Sequence, residues 1–307
     1  MTSKSRADLT SRPVLLVYKK SSYQLYVKER HDPAYERAMA RNEGTTRRLI
    51  EGHERQAEAL SAVREVLTRR GISFRSRWRG KTKSSTEYAL VIAVGGDGTL
   101  LDTAQHLRDN TPLLGINSDP RRSVGKLCAG VAGDLDTILN TLEEGTLKPL
   151  PHTRVRIHLD GEEVLGPGLN EVLFGHRSPA NMSRFQIRVF PEGSSAPPRD
   201  VRSSGIWVAT ATGSTAAIRS AGGKVMPPRS RRLQFLVREP YTPPDQAQIP
   251  RNSNFLAPGE EIELTSRMNS AFLWVDGPYR RKAVRYGQRV HLDVHPQPLW
   301  LYRREYL

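Results

Sequence analysis

Ala89-Leu-Val-Ile-Ala-Val-Gly95-Gly96-Asp97-Gly98-Thr99-Leu100-Leu101 is the stretch on which the fold turns. Its first six residues are apolar without alternation, which is how a strand buried on both faces of a parallel sheet reads. The strand runs straight into Gly-Gly-Asp-Gly, after which Thr99 is placed to cap a helix over Thr99–Leu107. Glycines leave backbone bare, so a ligand phosphate can approach the main chain and the N–H groups of a helix N-terminus. A carboxylate in such a loop repels phosphate. Asp97 therefore makes chemical sense if it acts on a substrate hydroxyl or organises Mg²⁺ beside phosphates. By itself the loop also reads as a tight strand-to-helix turn.

Working outward, Pro13–Tyr18 is a second buried strand and Pro112–Ile116 a third. Leu49, Ile50, His53, Ala57, Leu60, Val63 and Leu67 recur at three- and four-residue steps, predicting an amphipathic helix that Gly71 stops. Asp134–Glu144 predicts another helix. Strands alternating with helices argue for an α/β domain, a parallel sheet with flanking helices. After Pro149 the texture changes. Val155, Ile157 and Leu159 alternate with polar residues, as do Phe185, Ile187 and Val189. Short strand-like runs follow at Ile206–Thr210, Leu233–Val237, Glu261–Thr265, Ala271–Val275, Val290–Val294 and Leu299–Tyr302. That is the pattern of an all-β-rich domain. The expected boundaries are 1–146 for the α/β domain, 147–290 for the β-rich domain, and 291–307 for a C-terminal strand returning to the first domain.

The 307 residues carry 47 Lys and Arg against 32 Asp and Glu, a net charge of +15, which suits a phosphate-bearing partner. One cysteine, Cys128, excludes an internal disulfide and a cysteine-rich zinc site. No apolar run approaches the roughly 20 residues of a spanning helix. A cytoplasmic setting is expected, with neither a membrane nor nucleic acid as partner. The basic residues cluster in Arg69–Lys83 and again at Arg219, Lys224, Arg229, Arg231 and Arg232, runs that usually form solvated faces.

Two further motifs bear chemistry. Thr212-Gly213-Ser214-Thr215-Ala216, with Thr210 before it and Ser220 and Gly222-Gly223 after it, offers small polar side chains and bare backbone to a flat nucleotide. A hydroxyl-rich loop without a ligand reads equally well. Asn170-Glu171 is a polar pair set in an apolar run. The chain lacks G-x-x-x-x-G-K-[ST] and a G-x-G-x-x-G after its first strand, which disfavours P-loop NTPases and ordinary dinucleotide dehydrogenases.

Taken together, Gly95-Gly96-Asp97-Gly98-Thr99, Asn170-Glu171 and Thr212–Ala216 resemble, in order and rough spacing, the ATP–NAD kinase family, and Asp276-Gly277 resembles its late Asp-Gly. Gly115–Cys128, Ser203-Ser204-Gly205 and Val237–Pro240 look most like the divergent branch that includes the eukaryotic mitochondrial NAD kinases. The resemblance implies an α/β domain and a β-rich dinucleotide-binding domain with the active site between them. It implies phosphoryl transfer from ATP (or polyphosphate), with Mg²⁺ or another divalent cation, to the 2′-hydroxyl of the adenosine ribose of NAD. It implies Asp97 as catalytic base, with Gly95, Gly96, Gly98 and Thr99 against the ligand. Asn170 and Glu171 would meet the adenylate portion or metal, and Thr212, Gly213, Ser214, Thr215, Ala216 and Ser220 would line the dinucleotide pocket. A homo-oligomer, dimer or tetramer, is also implied. Most of the family has Asp where this chain has Ser204, and Tyr where it has Ala217, both on the acceptor side. A lipid kinase of the diacylglycerol or sphingosine type and a sugar kinase, which share the Gly-Gly-Asp-Gly element, remain as alternatives, as does a non-catalytic dinucleotide sensor, which Ser204 and Ala217 motivate.

Overall fold

Apolar runs without alternation become strands covered on both faces. The computed structural model describes residue 9 and residues 11–41, 44–81, 87–191, 197–242 and 254–303. The chain divides into two units. The first ends at Leu150 and resumes at Trp300, and the second runs Pro151–Leu299.

In the first unit the elements are β1 (Val14–Tyr18), α1 (Pro33–Ala40), α2 (Gly44–Arg69), β2 (Phe74–Trp78), β3 (Leu90–Val94), α3 (Asp97–Ala104), β4 (Leu113–Asn117), β5 (Gly130–Val131) and α4 (Leu135–Glu143). The sheet order is β2-β1-β3-β4 followed by the returning strand Leu299–Tyr302, and the pairs are parallel. One face packs Leu16, Ile92 and Ile116 against Val63 and Leu67 of α2 and Ile138, Leu139 and Leu142 of α4. Leu15, Val17 and Val91 are buried as well. Both faces are therefore covered, which is why these strands show no polar alternation.

Two details differ from the sequence reading. The Arg69–Lys83 stretch holds β2, an edge strand beside β1. Its charges suit an edge, because alternating arginines discourage pairing with another chain. Lys83 lies outside the described residues. Arg70 is not a solvated charge but a fork joining α2 to α4, donating to Asp136 at 2.7 Å, Asn140 at 2.8 Å and Glu143 at 2.7 Å. Thr99, expected as the cap of α3, instead lies inside the helix, which starts after Gly96. Its side chain is buried against the strand-to-helix turn, so it is not available at the helix end.

The second unit begins within β6 (Leu150–His152). It continues through β7 (Val155–Leu159), β8 (Glu162–Glu163), β9 (Glu171–His176), β10 (Ser183–Pro191), β11 (Arg199–Ser203), β12 (Ile206–Ala209), α5 (Ala217–Ser220), β13 (Leu233–Val237), β14 (Asn254–Leu256), β15 (Glu260–Ser266), β16 (Ala271–Val275), β17 (Arg280–Val284) and β18 (Arg289–Val294). Two antiparallel sheets form, ordered β11-β10-β15-β18-β7-β8 and β14-β13-β12-β9-β16-β17. Alternate residues of both, among them Ile157, Phe174, Phe185, Val208, Leu264 and Leu273, share one core. That is a sandwich built by period-2 patterning. No helix among the described residues is long and apolar enough to cross a membrane.

The second unit buries Arg154, which is 1% exposed. Its guanidinium donates to the Gln297 carbonyl from Nε at 3.0 Å and from Nη2 at 2.8 Å, and Nη2 reaches the Pro298 carbonyl at 3.4 Å. Arg154→Met keeps most of the stem volume but removes these donors. It should cost about 2–4 kcal/mol, read as a lower urea midpoint with unchanged far-UV circular dichroism. An unchanged midpoint would show that the carbonyls need no donor there.

Candidate active site

In an open parallel sheet, ligands bind outside the carboxyl ends of the strands where the chain reverses its direction of travel across the sheet. Here the chain leaves β1 for β2 on one side, then crosses to β3 on the other. Register pairs Tyr18 with Val94 and Val94 with Ile116. Lys19, Gly95 and Asn117 are thus the next residues of three neighbouring strands, emerging at one edge.

At this edge the Gly95 N–H donates to the Ile116 carbonyl at 2.9 Å, and a Cβ on Gly95 would lie 2.2 Å from Thr99 Oγ1. The close approach of turn and helix requires glycine there. Asp97 opens α3 and its carboxylate turns onto the loop after β4. Oδ2 accepts the Lys126 N–H at 3.0 Å and Oδ1 the Leu127 N–H at 2.8 Å. It is half-buried, neither in the core nor loose in solvent. A carboxylate has about four lone-pair sites, so these two bonds fix its direction and leave capacity for another donor. Gly98 differs from its neighbours: it is exposed, and a Cβ there would meet nothing within 4 Å. The fold does not require that glycine.

One residue at the edge escaped the sequence reading. Lys19 is half-buried, and burial lowers its ammonium pKa, with the negative charge of Asp119 opposing. Its signal was its position, directly after a buried strand. The Cys128 thiol is pushed up to about 12 by burial and then by the Asp97 charge, so it is not a ready nucleophile.

The second unit gathers Asn170, Glu171, the Thr-rich loop and Asp276. Asp276 has φ +49°, a left-handed conformation uncommon for a residue with a side chain. Its carboxylate accepts the N–H groups of Leu169 at 2.8 Å, Asn170 at 2.7 Å and Glu171 at 3.2 Å, and Arg280 Nη1 donates to it at 3.1 Å. Burial raises its pKa, while Arg280 and the three amides favour the carboxylate. Glu171 is buried, and its carboxyl is pushed up to about 8 by burial and then by the Asp276 charge.

Gly213 packs directly on this segment, since a Cβ there would sit 2.0 Å from the Asn170 carbonyl oxygen. The hydroxyls of the loop are largely committed inside the protein. Thr210 Oγ1 donates to the Leu169 carbonyl at 2.5 Å, Ser214 Oγ donates to the Ala211 carbonyl at 2.7 Å, and Thr212 Oγ1 is 3.0 Å from His152 Nδ1. Thr215 and Ala216 are half-buried and Ser220 is exposed. Ser204, half-buried, donates its N–H to the Arg238 carbonyl at 3.0 Å. So Gly95, Gly96, Asp97, Gly98 and Thr99 form one cluster in the first unit. Asn170, Glu171, Thr212, Gly213, Ser214 and Thr215 form another in the second, with Ala216 and Ser220 at the end of the loop.

Residues 5–120 match the family model described as the ATP-NAD kinase N-terminal domain. A probable NADH kinase of Oryza sativa subsp. japonica is 34% identical over 253 residues, covering 77% of this chain and 78% of that protein. An NAD kinase of Methanoregula boonei is 35% identical over 213 residues, covering 69% of this chain and 72% of the relative. Among solved structures, an NAD kinase from Archaeoglobus fulgidus in complex with ATP superposes with a TM-score of 0.64 at 20% identity, over 95% of this chain and 94% of that one. The fold is thus shared where identity is low, and the identity with the rice and archaeal relatives, over that much of the chain, makes this protein a member of the ATP–NAD kinase family.

Proposed function

We propose that the protein transfers the terminal phosphoryl group of ATP to the 2′-hydroxyl of the adenosine ribose of NAD or NADH. The observation that carries this is Asp97, a carboxylate aimed by two main-chain donors at the carboxyl edge of β3, beside the open space at Gly98. A ribose hydroxyl is a poor nucleophile at neutral pH. A carboxylate within hydrogen-bond reach takes its proton as the new oxygen–phosphorus bond forms. The rest of such a reaction is positioning and charge neutralisation. Lys19 supplies positive charge at the same edge, and N–H groups at the start of α3 face a phosphate that Gly98 admits. Of the second unit, Asn170, Glu171, Thr215, Ala216 and Ser220 are the residues we assign to contact with the dinucleotide.

Magnesium fits as an ion carried on the donor's phosphates. Among the described residues no group of three His, Cys, Asp or Glu side chains is placed to hold a metal, and Asp97 is the carboxylate of the phosphate-facing loop. When bound, the ion neutralises charge on the phosphoryl oxygens. Glu171, protonated at neutral pH, is suited to donate to a ribose or base acceptor rather than to ligate a cation. The name of the rice relative, a probable NADH kinase, favours testing the reduced dinucleotide beside the oxidised one.

The test offers ATP and Mg²⁺ with NAD, NADH, diacylglycerol, sphingosine or fructose 6-phosphate and identifies the phosphorylated product. NADP or NADPH is expected, and a lipid or sugar phosphate alone would overturn the reading. In the same assay Asp97→Asn should lower kcat at least about a hundredfold. The Asn side chain keeps one acceptor oxygen and loses the other, a local cost of about 1–3 kcal/mol visible in unfolding. Near-wild-type turnover would reduce Asp97 to a clamp for the loop.

Gly98→Ala separates ligand approach from folding. The variant should be as stable as the wild type or up to about 1 kcal/mol more stable, because alanine is the better helix former. Its KM for ATP should nevertheless rise severalfold as the methyl group fills the open space. Unchanged kinetics would place the phosphates elsewhere.

Glu171 predicts a pH dependence of stability. Unfolded, its carboxyl titrates near the ordinary 4.5; folded, near about 8. Below 4.5 both states hold the proton and its contribution is fully present. Between 4.5 and about 8 only the folded state holds it, so stability is lost as pH rises. Glu171→Gln should remove this slope, and its stability advantage over wild type should widen from acid to pH 8. Parallel pH profiles of the two melting temperatures would contradict the assignment.

A further inference from the structure

The second unit contains a cavity of about 320 Å³ that the proposed reaction does not use. Its polar lining is Thr153, Arg229, Arg231 and His295, and its walls are Pro151, Pro296 and Pro298 with Val294. No lining residue is acidic. The surroundings hold it open. Arg154 ties the backbone of Gln297 and Pro298 on one side, and its carbonyl accepts the His295 N–H at 2.9 Å. On the other side Thr153 Oγ1 donates to the Ser230 carbonyl at 3.0 Å, which anchors the chain between Arg229 and Arg231. Proline walls have fixed φ, so little is left to freeze when a ligand enters.

We propose that this cavity is a separate binding site for a small phosphate ester, with the phosphate on Arg229 and Arg231 and a compact apolar or planar part against the prolines and Val294. Guanidinium groups match phosphate oxygens in pairs, and the walls reward an apolar body that bare phosphate lacks. The volume is at the low end for ligand pockets, which suits a compact ligand better than a dinucleotide. Occupancy would also reach the Thr-rich loop. His152, next to Thr153, lies 3.0 Å from Thr212 Oγ1, so the strap that braces the cavity also braces that loop.

The test titrates phenyl phosphate and inorganic phosphate into the full chain by calorimetry at fixed ionic strength. The wild type, Arg229→Gln/Arg231→Gln and Asp97→Asn are compared. Both arginines are exposed, so the double variant should fold. Phenyl phosphate should bind the wild type more tightly than phosphate does. The double variant should lose at least about tenfold in affinity for it, from two charge-assisted contacts, while Asp97→Asn binds as the wild type does. Equal affinity for both probes would overturn assignment to an ester. Loss of binding in Asp97→Asn, or undiminished binding in the double variant, would overturn the site itself. These outcomes are independent of whether NADP is formed, so failure here and failure of the proposed reaction are read separately.

Discussion

A carboxylate that accepts main-chain N–H groups holds each candidate loop in place. Asp97 takes the amides of Lys126 and Leu127, and Asp276 takes those of Leu169, Asn170 and Glu171. A loop that leaves its amides unpaired in a half-buried place loses stability with each one, so a single acidic side chain with several acceptor sites is an economical solution. Asp276 is the more demanding case. It is buried, adopts a left-handed backbone, and is neutralised by Arg280, whose Nη2 also reaches the carbonyls of Leu165 at 2.5 Å and Gly166 at 3.1 Å. Removing one partner would leave an uncompensated charge among amides arranged for it.

This clamp changes how the hydroxyl-rich loop is understood. A run of Thr, Gly and Ser suggests side chains offered to a ligand, yet Thr210, Thr212 and Ser214 are spent inside the protein. Thr210, bonded to the Leu169 carbonyl and accepting the Gly213 N–H, holds Gly213 against Asn170, while Thr212 and Ser214 tie the loop to His152 and Met226. What such a loop presents is a fixed backbone shape with Thr215 and Ser220 at its margin. For phosphoryl transfer, whose demand on the protein is chiefly positioning, rigidity of this kind is useful.

The excess of positive charge is likewise not one feature but several. Arg75 and Arg77 decorate an edge strand, Arg70 joins two helices, and Lys19 sits half-buried at the carboxyl edge of the sheet. Arg229 and Arg231 flank a proline-walled cavity. Composition adds these charges together, whereas the fold separates them among an edge strand, a joint between two helices, the end of a buried strand and the lining of a cavity.

The class of fold was legible because it depends on local periodicity. Continuous apolar runs at Val14–Tyr18, Leu90–Val94 and Leu113–Asn117 have no polar face to offer solvent, and the alternation of Val155, Ile157 and Leu159 has one. β2 was hidden because its arginines mask a short edge strand whose partner is far away in sequence. Thr99 read as a cap, for the sequence does not show which side chain turns inward. Tertiary structure alone decided the partners of the acidic groups: Asp97 meets amides about thirty residues onward, and Asp276 meets amides more than a hundred residues back. Periodicity is set by neighbours along the chain, but an acceptor's donors are set by where distant segments cross, and only the packed fold brings those together.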